Sequence, residues 1–99
     1  MHRLHDYLST RMDKLTEMVK QARVAETTKA YRKAMETATA KLRDSGTSIG
    51  LIKDLARGMC ADEEYDMIQA EMEYKTCNNL IEAASKQMNA LQTQKRDVN

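Results

Sequence analysis

The positions of the residues that break helices constrain this chain more than any other feature of its sequence. It contains no proline, and its three glycines all lie between residues 46 and 58. Proline and glycine are the residues that most strongly interrupt helices. The stretches 1–45 and 59–99 therefore contain no strong helix breaker, and each is long enough for a single helix of roughly ten turns.

The composition favours helices along the whole chain. Phenylalanine and tryptophan are absent, which argues against a sheet protein because strands are rich in aromatic and β-branched side chains. Alanine, leucine, methionine and the long charged side chains lose little conformational freedom in a helix. The sequence predicts an all-α fold, an elongated antiparallel helical bundle or hairpin that forms a single domain, 1–99. Its helices are expected at about 2–45, 48–57 and 62–95.

Two short segments are predicted to separate these helices. Gly46 suits the left-handed position after a helix C-terminus, and Thr47 or Ser48 suits the next N-cap. Gly58 is expected to end the short central helix in the same way. Asp62 is the predicted N-cap of the last helix, and the acidic residues of its first turn favour the positive end of the helix dipole.

The last helix carries the most regular apolar pattern. Its small and apolar residues alternate at spacings of three and four, which is typical of a coiled-coil seam. The residues of this C-terminal seam are Met67, Ala70, Tyr74, Cys77, Ile81, Ala84, Met88 and Leu91. A second stripe consists of Tyr65, Ile68, Met72 and Leu80. An apolar face this wide is typical of a helix that packs against two neighbours.

The first helical region contains two apolar seams that are out of phase. The first seam consists of Leu8, Met12, Leu15, Val19 and Ala22, and the second of Tyr31, Met35, Ala38 and Leu42. At 100° per residue the two seams point about 140° apart. Either the helix is broken near 24–29, where Thr27 and Thr28 offer a weak cap, or one long helix presents opposite faces to two partners.

The first seam is the candidate surface for a partner. Its candidate residues are Leu8, Met12, Leu15 and Val19. Left exposed, they would form an apolar patch larger than a soluble monomer usually leaves open. We therefore expect residues 4–22 to pair with a second copy of the chain in a two-fold homodimer. The same surface is the candidate site for a target protein, because methionine side chains adapt to different partners.

Charge is distributed unevenly, although the net charge is only +1. Residues 1–57 carry 12 basic and 7 acidic side chains, whereas residues 58–99 carry 4 basic and 8 acidic ones. This asymmetry predicts that the first and last helices attract each other and pack antiparallel.

A candidate basic patch and a candidate acidic patch follow from this distribution. The basic residues fall within about 100° on a helical wheel, and they are Arg11, Lys14, Lys29, Arg32, Lys33 and Arg43. The acidic residues are Asp62, Glu63, Glu64, Asp66, Glu71 and Glu73. The simplest interpretation of the basic set is a face exposed to solvent. The simplest interpretation of the acidic set is that acidic side chains stabilise the positive end of the helix dipole. The sharper interpretation of the basic set is phosphate binding, and that of the acidic set is contact with a basic groove on a partner.

No arrangement of residues typical of an enzyme occurs in the sequence. It contains no nucleophile elbow, no phosphate loop and no paired histidine and cysteine site, so we expect no enzymatic activity, no cofactor and no metal. Cys60, expected in a loop, and Cys77, expected in the seam, fit no metal or redox spacing and indicate reduced thiols in a cytoplasmic protein. Neither a membrane span nor a signal peptide is predicted.

Two stretches of the sequence resemble known proteins. The first contains Ala30, Tyr31, Ala34, 41–43, Gly46 and 51–58, and the second contains Tyr65, 70–71, 74–75, 81–83, 88–89 and 91–92. This layout, over about residues 30–92, resembles small helical hairpin proteins encoded by phages and prophages. The resemblance implies an accessory role for a mobile element, such as inhibition of host defence nucleases by anti-CRISPR proteins, or assistance in recombination.

The expected function is therefore that of a non-enzymatic helical protein–protein interaction module. The resemblance implies that it binds and blocks a larger host protein or nucleoprotein. One alternative is a nucleic-acid-binding accessory factor in phage recombination or replication, in which the basic patch would contact phosphates. A second alternative is a structural assembly protein, which would form large ordered oligomers.

Overall fold

The computed structural model describes the backbone of residues 2–98 and the side chains of residues 13–91. It contains three helices, α1 (His2–Asp44), α2 (Ile49–Met59) and α3 (Ala61–Val98). No strand occurs within the described backbone. The predicted all-α fold, with a long first helix, a short central helix and a long last helix, is confirmed.

The two long helices form an antiparallel hairpin, and α2 packs against the C-terminal part of α1. Ala38, near the end of α1, packs with Cys60, which immediately precedes α3. Farther along the hairpin, Lys20 of α1 contacts Glu73 of α3. The end of the molecule that holds α2 is called the closed end below, and the opposite end is called the open end.

The C-terminus of α1 ends in the predicted turn. Gly46 has a φ of 75°, a left-handed conformation that is accessible to glycine because it lacks a Cβ atom. Its N–H donates to the carbonyl of Arg43 at 3.1 Å, and the N–H of Thr47 donates to the carbonyl of Leu42 at 3.0 Å. This pair of hydrogen bonds is a Schellman motif, which ends the helix. Ser48 then occupies the predicted N-cap position of α2.

Gly58 does not end α2 as predicted. Its φ is not positive, unlike that of Gly46, and the helix continues through it to Met59. A glycine inside a helix costs only about 1 kcal/mol relative to alanine. The burial of Ile52 and Ala56 on the same short helix is sufficient to keep Gly58 helical.

The bend between α2 and α3 falls at Cys60. Its N–H donates to the carbonyls of Ala56 and Arg57, at 3.1 and 3.2 Å. The backbone N–H of Cys60 and these two carbonyls therefore remain hydrogen-bonded where the chain turns. α3 begins at Ala61, which places Asp62 inside its first turn. The prediction of Asp62 as the N-cap was therefore wrong, and the position before the helix belongs to a buried cysteine instead.

α1 is one continuous helix, which excludes the predicted alternative of a break near 24–29. Thr27 lies in that segment with its side chain buried. Its hydroxyl donates to the carbonyl of Arg23 at 2.8 Å, so it is satisfied within the helix and does not cap a new one. The two seams of the first helical region consequently lie on different sides of a single helix.

The core lies at the closed end and is built from small side chains. Ala38 of α1, Ala56 of α2 and Cys60 between the helices are buried together. The partly buried side chains that pack around them are Tyr31, Ala34, Met35 and Leu42. The second seam of the first helical region is therefore the one that packs inside the molecule.

The molecule is long and thin. Its Cα atoms extend over 76 × 23 × 13 Å and have a radius of gyration of 21.9 Å, whereas a globular domain of this length has one of about 13 Å. A shape this narrow leaves little interior. No large side chain within the described part of the chain is completely buried.

The C-terminal seam is confirmed over its first five residues and wrong over its last three. The buried or half-buried residues are Met67, Ala70, Tyr74, Cys77 and Ile81. The exposed residues are Ala84, Met88 and Leu91. Ala84 lines a groove whose α1 side carries Asp13 and Thr16. The second stripe, from Tyr65 to Leu80, is also exposed.

A substitution at the centre of the core tests this packing. Replacing Ala56 by leucine inserts three carbon atoms where the side chain is 0% exposed, so we expect Ala56→Leu to destabilise the protein by about 1–3 kcal/mol. Thermal and urea unfolding followed by circular dichroism measure this. Ala40→Leu is the matched control, because Ala40 is exposed on α1 and should change stability little. Equal effects of the two substitutions would contradict the assigned core.

Candidate interaction surface

The inner face of α1 changes from apolar to charged toward the open end. Tyr31 and Ala38 face the core at the closed end. In a straight helix of 3.6 residues per turn, the residues on the same face toward the N-terminus are Val24, Lys20 and Glu17. All three are half-buried in the structure. The side of α1 that faces α3 is therefore charged at the open end, although α3 presents apolar side chains there.

Lys20 of α1 forms an ion pair with Glu73 of α3. Its Nζ lies 3.2 Å from Oε2 of Glu73, and the two side chains are 36% and 51% exposed. An ion pair this accessible to water contributes between about 0 and 1 kcal/mol. It therefore contributes much less to holding the two helices together than an apolar contact would at the same position.

A groove with a volume of about 710 Å³ runs between α1 and α3 at the open end. Its α1 wall is polar and consists of Asp13, Thr16 and Lys20. Its α3 wall is mainly apolar and includes Met72, Cys77, Leu80, Ile81 and Ala84. The groove therefore lies where apolar side chains of α3 stand opposite polar side chains of α1.

The described apolar residues of α1 at the open end, Leu15, Met18 and Val19, are exposed and are not packed against α3. Leu15 is 52% exposed and Val19 is 68% exposed, as expected if the first seam lies outside the hairpin. Leu8 and Met12 lie outside the described side chains. The structure adds Met18, which is also exposed and was missed because it lies beside the strict seam spacing. Its distance of three residues from Leu15 is the sequence signal that could have identified it.

The described members of the basic patch are exposed on α1. They are Lys14, Lys29, Arg32, Lys33 and Arg43, and Arg11 lies outside the described side chains. None of the five makes an ion pair with another described residue. Lys29 lies within about 40° of Leu15 and about 20° of Met18 on a helical wheel. The outer face of α1 is thus apolar near the open end and basic near the closed end.

The acidic residues of α3 do not form one surface. Glu64 pairs with Arg57, and Glu73 pairs with Lys20. Glu63 lines a second, smaller groove at the closed end together with Lys33 and Lys41. The remaining members, Asp62, Asp66 and Glu71, are exposed. Several of these carboxylates therefore face basic residues of the same chain, which agrees with the predicted attraction between the two halves.

Arg57 and Glu64 link α2 to α3 across the bend at Cys60. Nη2 of Arg57 donates to Oε1 of Glu64 at 2.7 Å, and Nε lies 3.1 Å from both carboxylate oxygens. The side chain of Glu64 is only 18% exposed. The hydrogen bonds from Arg57 lower the pKa of Glu64 below its usual value, and the carboxylate in turn raises the pKa of Arg57.

Both cysteines are free thiols. Cys60 was expected in a loop, but the structure buries it in the core. Burial, and to a smaller extent the negative charge of Glu63, raise the pKa of its thiol, so the reactive thiolate is disfavoured. Cys77 is half-buried and lines the groove at the open end.

The described side chains contain no group of three or more histidine, cysteine, aspartate or glutamate residues that could bind a metal ion. No helix in the described part of the chain is both long and apolar enough to cross a membrane. Comparison of the chain with protein-family models, with curated proteins and with solved structures found no match. The surface itself is therefore the basis for a functional proposal.

The ion pair at the bend predicts a pH dependence of stability. Because the pKa of Glu64 is lowered in the folded state, its contribution to stability is complete above the unfolded value near 4.5 and is lost as the pH falls through the lower folded value. We expect Glu64→Gln to lower Tm at pH 7 and to differ less from the wild type at more acidic pH. Thermal unfolding measured between pH 7 and pH 2 tests this.

Glu71→Gln is the control for this experiment. Glu71 is exposed on the same helix and makes no ion pair with a described residue. Its substitution should change Tm little at any pH. A difference between Glu64→Gln and the wild type that stays constant down to pH 2 would show that the carboxylate charge is not what stabilises the bend.

Proposed function

We propose that this chain is a non-enzymatic protein–protein interaction module that binds its target through the outer face of α1. The observation that supports this proposal most strongly is the exposure of Leu15 and Met18 on one stretch of a helix whose inner face is occupied by other residues. These side chains contribute nothing to the core. Adjacent exposed apolar side chains of this size are typical of a surface that binds a partner.

The composition of this outer face favours a protein target. Met18 has three rotatable bonds and a polarisable sulfur, so it can adapt to an irregular surface. Leu15 and Met18 lie one helical turn apart, which is the spacing of anchor residues when a helix binds in an apolar groove of another protein. The basic residues farther along the same face, Lys29 and Arg32, would meet an acidic surface beside that groove.

The resemblance to small phage and prophage hairpin proteins supports a more specific form of this proposal. In that form the chain blocks a larger host protein or nucleoprotein by occupying its surface. A molecule 76 Å long can cover a large part of a protein surface without an active site of its own. The mixed apolar and basic face of α1 suits the acidic, partly apolar surface of such a target.

Substitutions on the outer face test target binding. A photo-crosslinking residue at position 18 first identifies the target in a host lysate, and the purified target is then titrated with the purified chain. We expect Leu15→Lys with Met18→Lys to weaken binding at least about tenfold, because two apolar anchors are replaced by charges that stay solvated. Circular dichroism should show an unchanged fold, since neither residue is buried.

The matched control adds the same two charges to α3. Ala83 and Gln87 are exposed and lie one turn apart, so Ala83→Lys with Gln87→Lys should leave affinity for the target near that of the wild type. If both double variants weaken binding equally, added charge rather than loss of the outer apolar face would explain the result, and α1 would not be the binding face.

A second candidate function is nucleic-acid binding through the basic half of the same face. The observation in its favour is that Lys29, Arg32 and Lys33 are exposed and make no ion pair with a described residue. Side chains in this state are available to phosphates.

Salt-dependent titration with DNA and RNA distinguishes this second function. If the three residues contact phosphates, their joint change to glutamine should weaken binding and reduce the slope of log affinity against log salt by up to about three. Lys75→Gln with Lys86→Gln, on exposed positions of α3, should leave the slope unchanged. Failure of the wild type to bind any nucleic acid at low salt would exclude this function.

A further inference from the structure

We infer that the groove between α1 and α3 is filled by a second copy of this chain, which forms a two-fold symmetric four-helix bundle. The two hairpins lie face to face with their closed ends together, so that α1 of each copy lies over α3 of the other. This association does not depend on the proposed target. The sequence predicts a homodimer through residues 4–22 alone, whereas the groove assigns half of the interface to α3.

The exposed area of the chain is sufficient for such an interface. A globular chain of 11.3 kDa exposes about 5,700 Å², whereas this chain exposes 8584 Å². A stable interface of standard size takes only about 800 Å² from each partner. The hairpin therefore presents several times the surface that a second copy needs, and a broad apolar part of it lies at the groove.

The apolar wall that α3 contributes to the groove has no apolar partner on α1 of its own chain, and a second copy supplies one. Within one chain, Cys77, Ile81 and Ala84 face Asp13, Thr16 and Lys20 across the groove. Val19 lies about 60° from Thr16 on a helical wheel, on the side of α1 that borders the groove. The polar inner face of α1 prevents Val19 from covering α3 of its own chain, but Val19 of a second copy is free to do so.

The proposed two-fold axis brings Val19 to the correct level along the hairpin. Val19 is adjacent to Lys20, whose Nζ contacts Glu73, so Val19 and Glu73 lie at the same height. An axis parallel to the hairpin preserves that height. Val19 of one copy then lies over α3 between Glu73 and Cys77 in the other copy. Leu80, 67% exposed in the single chain, lies about 10 Å from Glu73 along α3 and is covered by the part of α1 one to two turns before Val19.

The charges at the closed end favour the same arrangement. Lys33 and Lys41 line the smaller groove and lie within about 40° of Val19 on the wheel. On α3, Asp62 and Asp66 lie on the same side as Leu80, within about 40°. Lys33 and Glu63 line the same groove, so Lys33 is level with the start of α3. Placing α1 over α3 of the second copy therefore brings Lys33 opposite the acidic start of α3, next to Asp62.

The mass of the pure protein in solution is the first test. Light scattering at about 100 µM should give twice the mass of 11.3 kDa, and Leu80→Lys should shift the protein to the monomer with unchanged helical content. Ile68→Lys is the matched control, because Ile68 is an exposed apolar residue on a different side of α3 and should leave the dimer intact. A monomeric wild type, or a Leu80→Lys variant that stays dimeric, overturns the proposal.

The relative orientation of the two copies is tested by small-angle scattering and by charge reversal. With the closed ends together the dimer remains about as long as one chain, 76 Å. If the two copies instead ran in opposite directions and met only at their grooves, the dimer would reach roughly 110 Å. Lys33→Glu should weaken the dimer, and adding Asp62→Lys should restore it. A length near 110 Å, or no restoration, overturns this arrangement.

Assembly and target binding can fail independently in these experiments. The dimer is measured on the pure protein without a target, whereas target binding is tested at Leu15 and Met18 on the outer face. A mass that keeps growing with concentration would indicate an open assembly of hairpins. It would overturn the closed two-fold dimer and favour a structural assembly protein.

Discussion

The rotation of α1 about its own axis is the constraint on which the rest of the structure depends. A continuous helix cannot rotate one half independently of the other. Once Tyr31 and Ala38 pack into the core, Lys20 must face α3 and Leu15 must face solvent. The groove, the exposed apolar surface and the weak ion pair to Glu73 all follow from this one geometric condition.

The two ends of the molecule consequently differ in how they are held together. At the closed end three elements share a core around Ala56, and Arg57 with Glu64 links two of them across the bend. At the open end two helices face each other across a groove with a polar wall. Local stability depends on the number of buried apolar contacts. The closed end therefore anchors the fold, whereas the described side chains of α3 at the groove remain partly or fully exposed.

Much of the fold could be predicted from the sequence because its helix breakers are few and grouped. The absence of proline and the position of Gly46 gave the three helices and the first turn. The bend after α2 was misplaced because glycine marks possible turns, whereas the turn at Cys60 is determined by burial of a side chain. That choice depends on contacts with Ala38, far away in the sequence, and local patterns contain no information about it.

The sequence indicated which side of α1 carries exposed apolar residues, but it did not indicate how much of α3 is exposed. The phase difference of the two seams correctly placed Leu15 and Val19 outside the hairpin. The exposed end of the C-terminal seam could not be foreseen from α3 alone, because its regular spacing continues to Leu91. Exposure there depends on which residues of α1 stand opposite, and this pairing follows from the position of the bend at Cys60.

Because α1 is one unbroken helix, the number of residues between its two seams determines whether the first seam lies outside the hairpin. Removing one residue between Ala22 and Tyr31 would rotate the first seam by 100° and turn Leu15 and Val19 toward α3. Apolar side chains of α1 would then stand opposite those of α3 at the groove. Insertion of one residue would rotate the seam the other way and leave it outside. A deletion of a single codon therefore separates a hairpin whose first seam is exposed from one whose first seam faces α3.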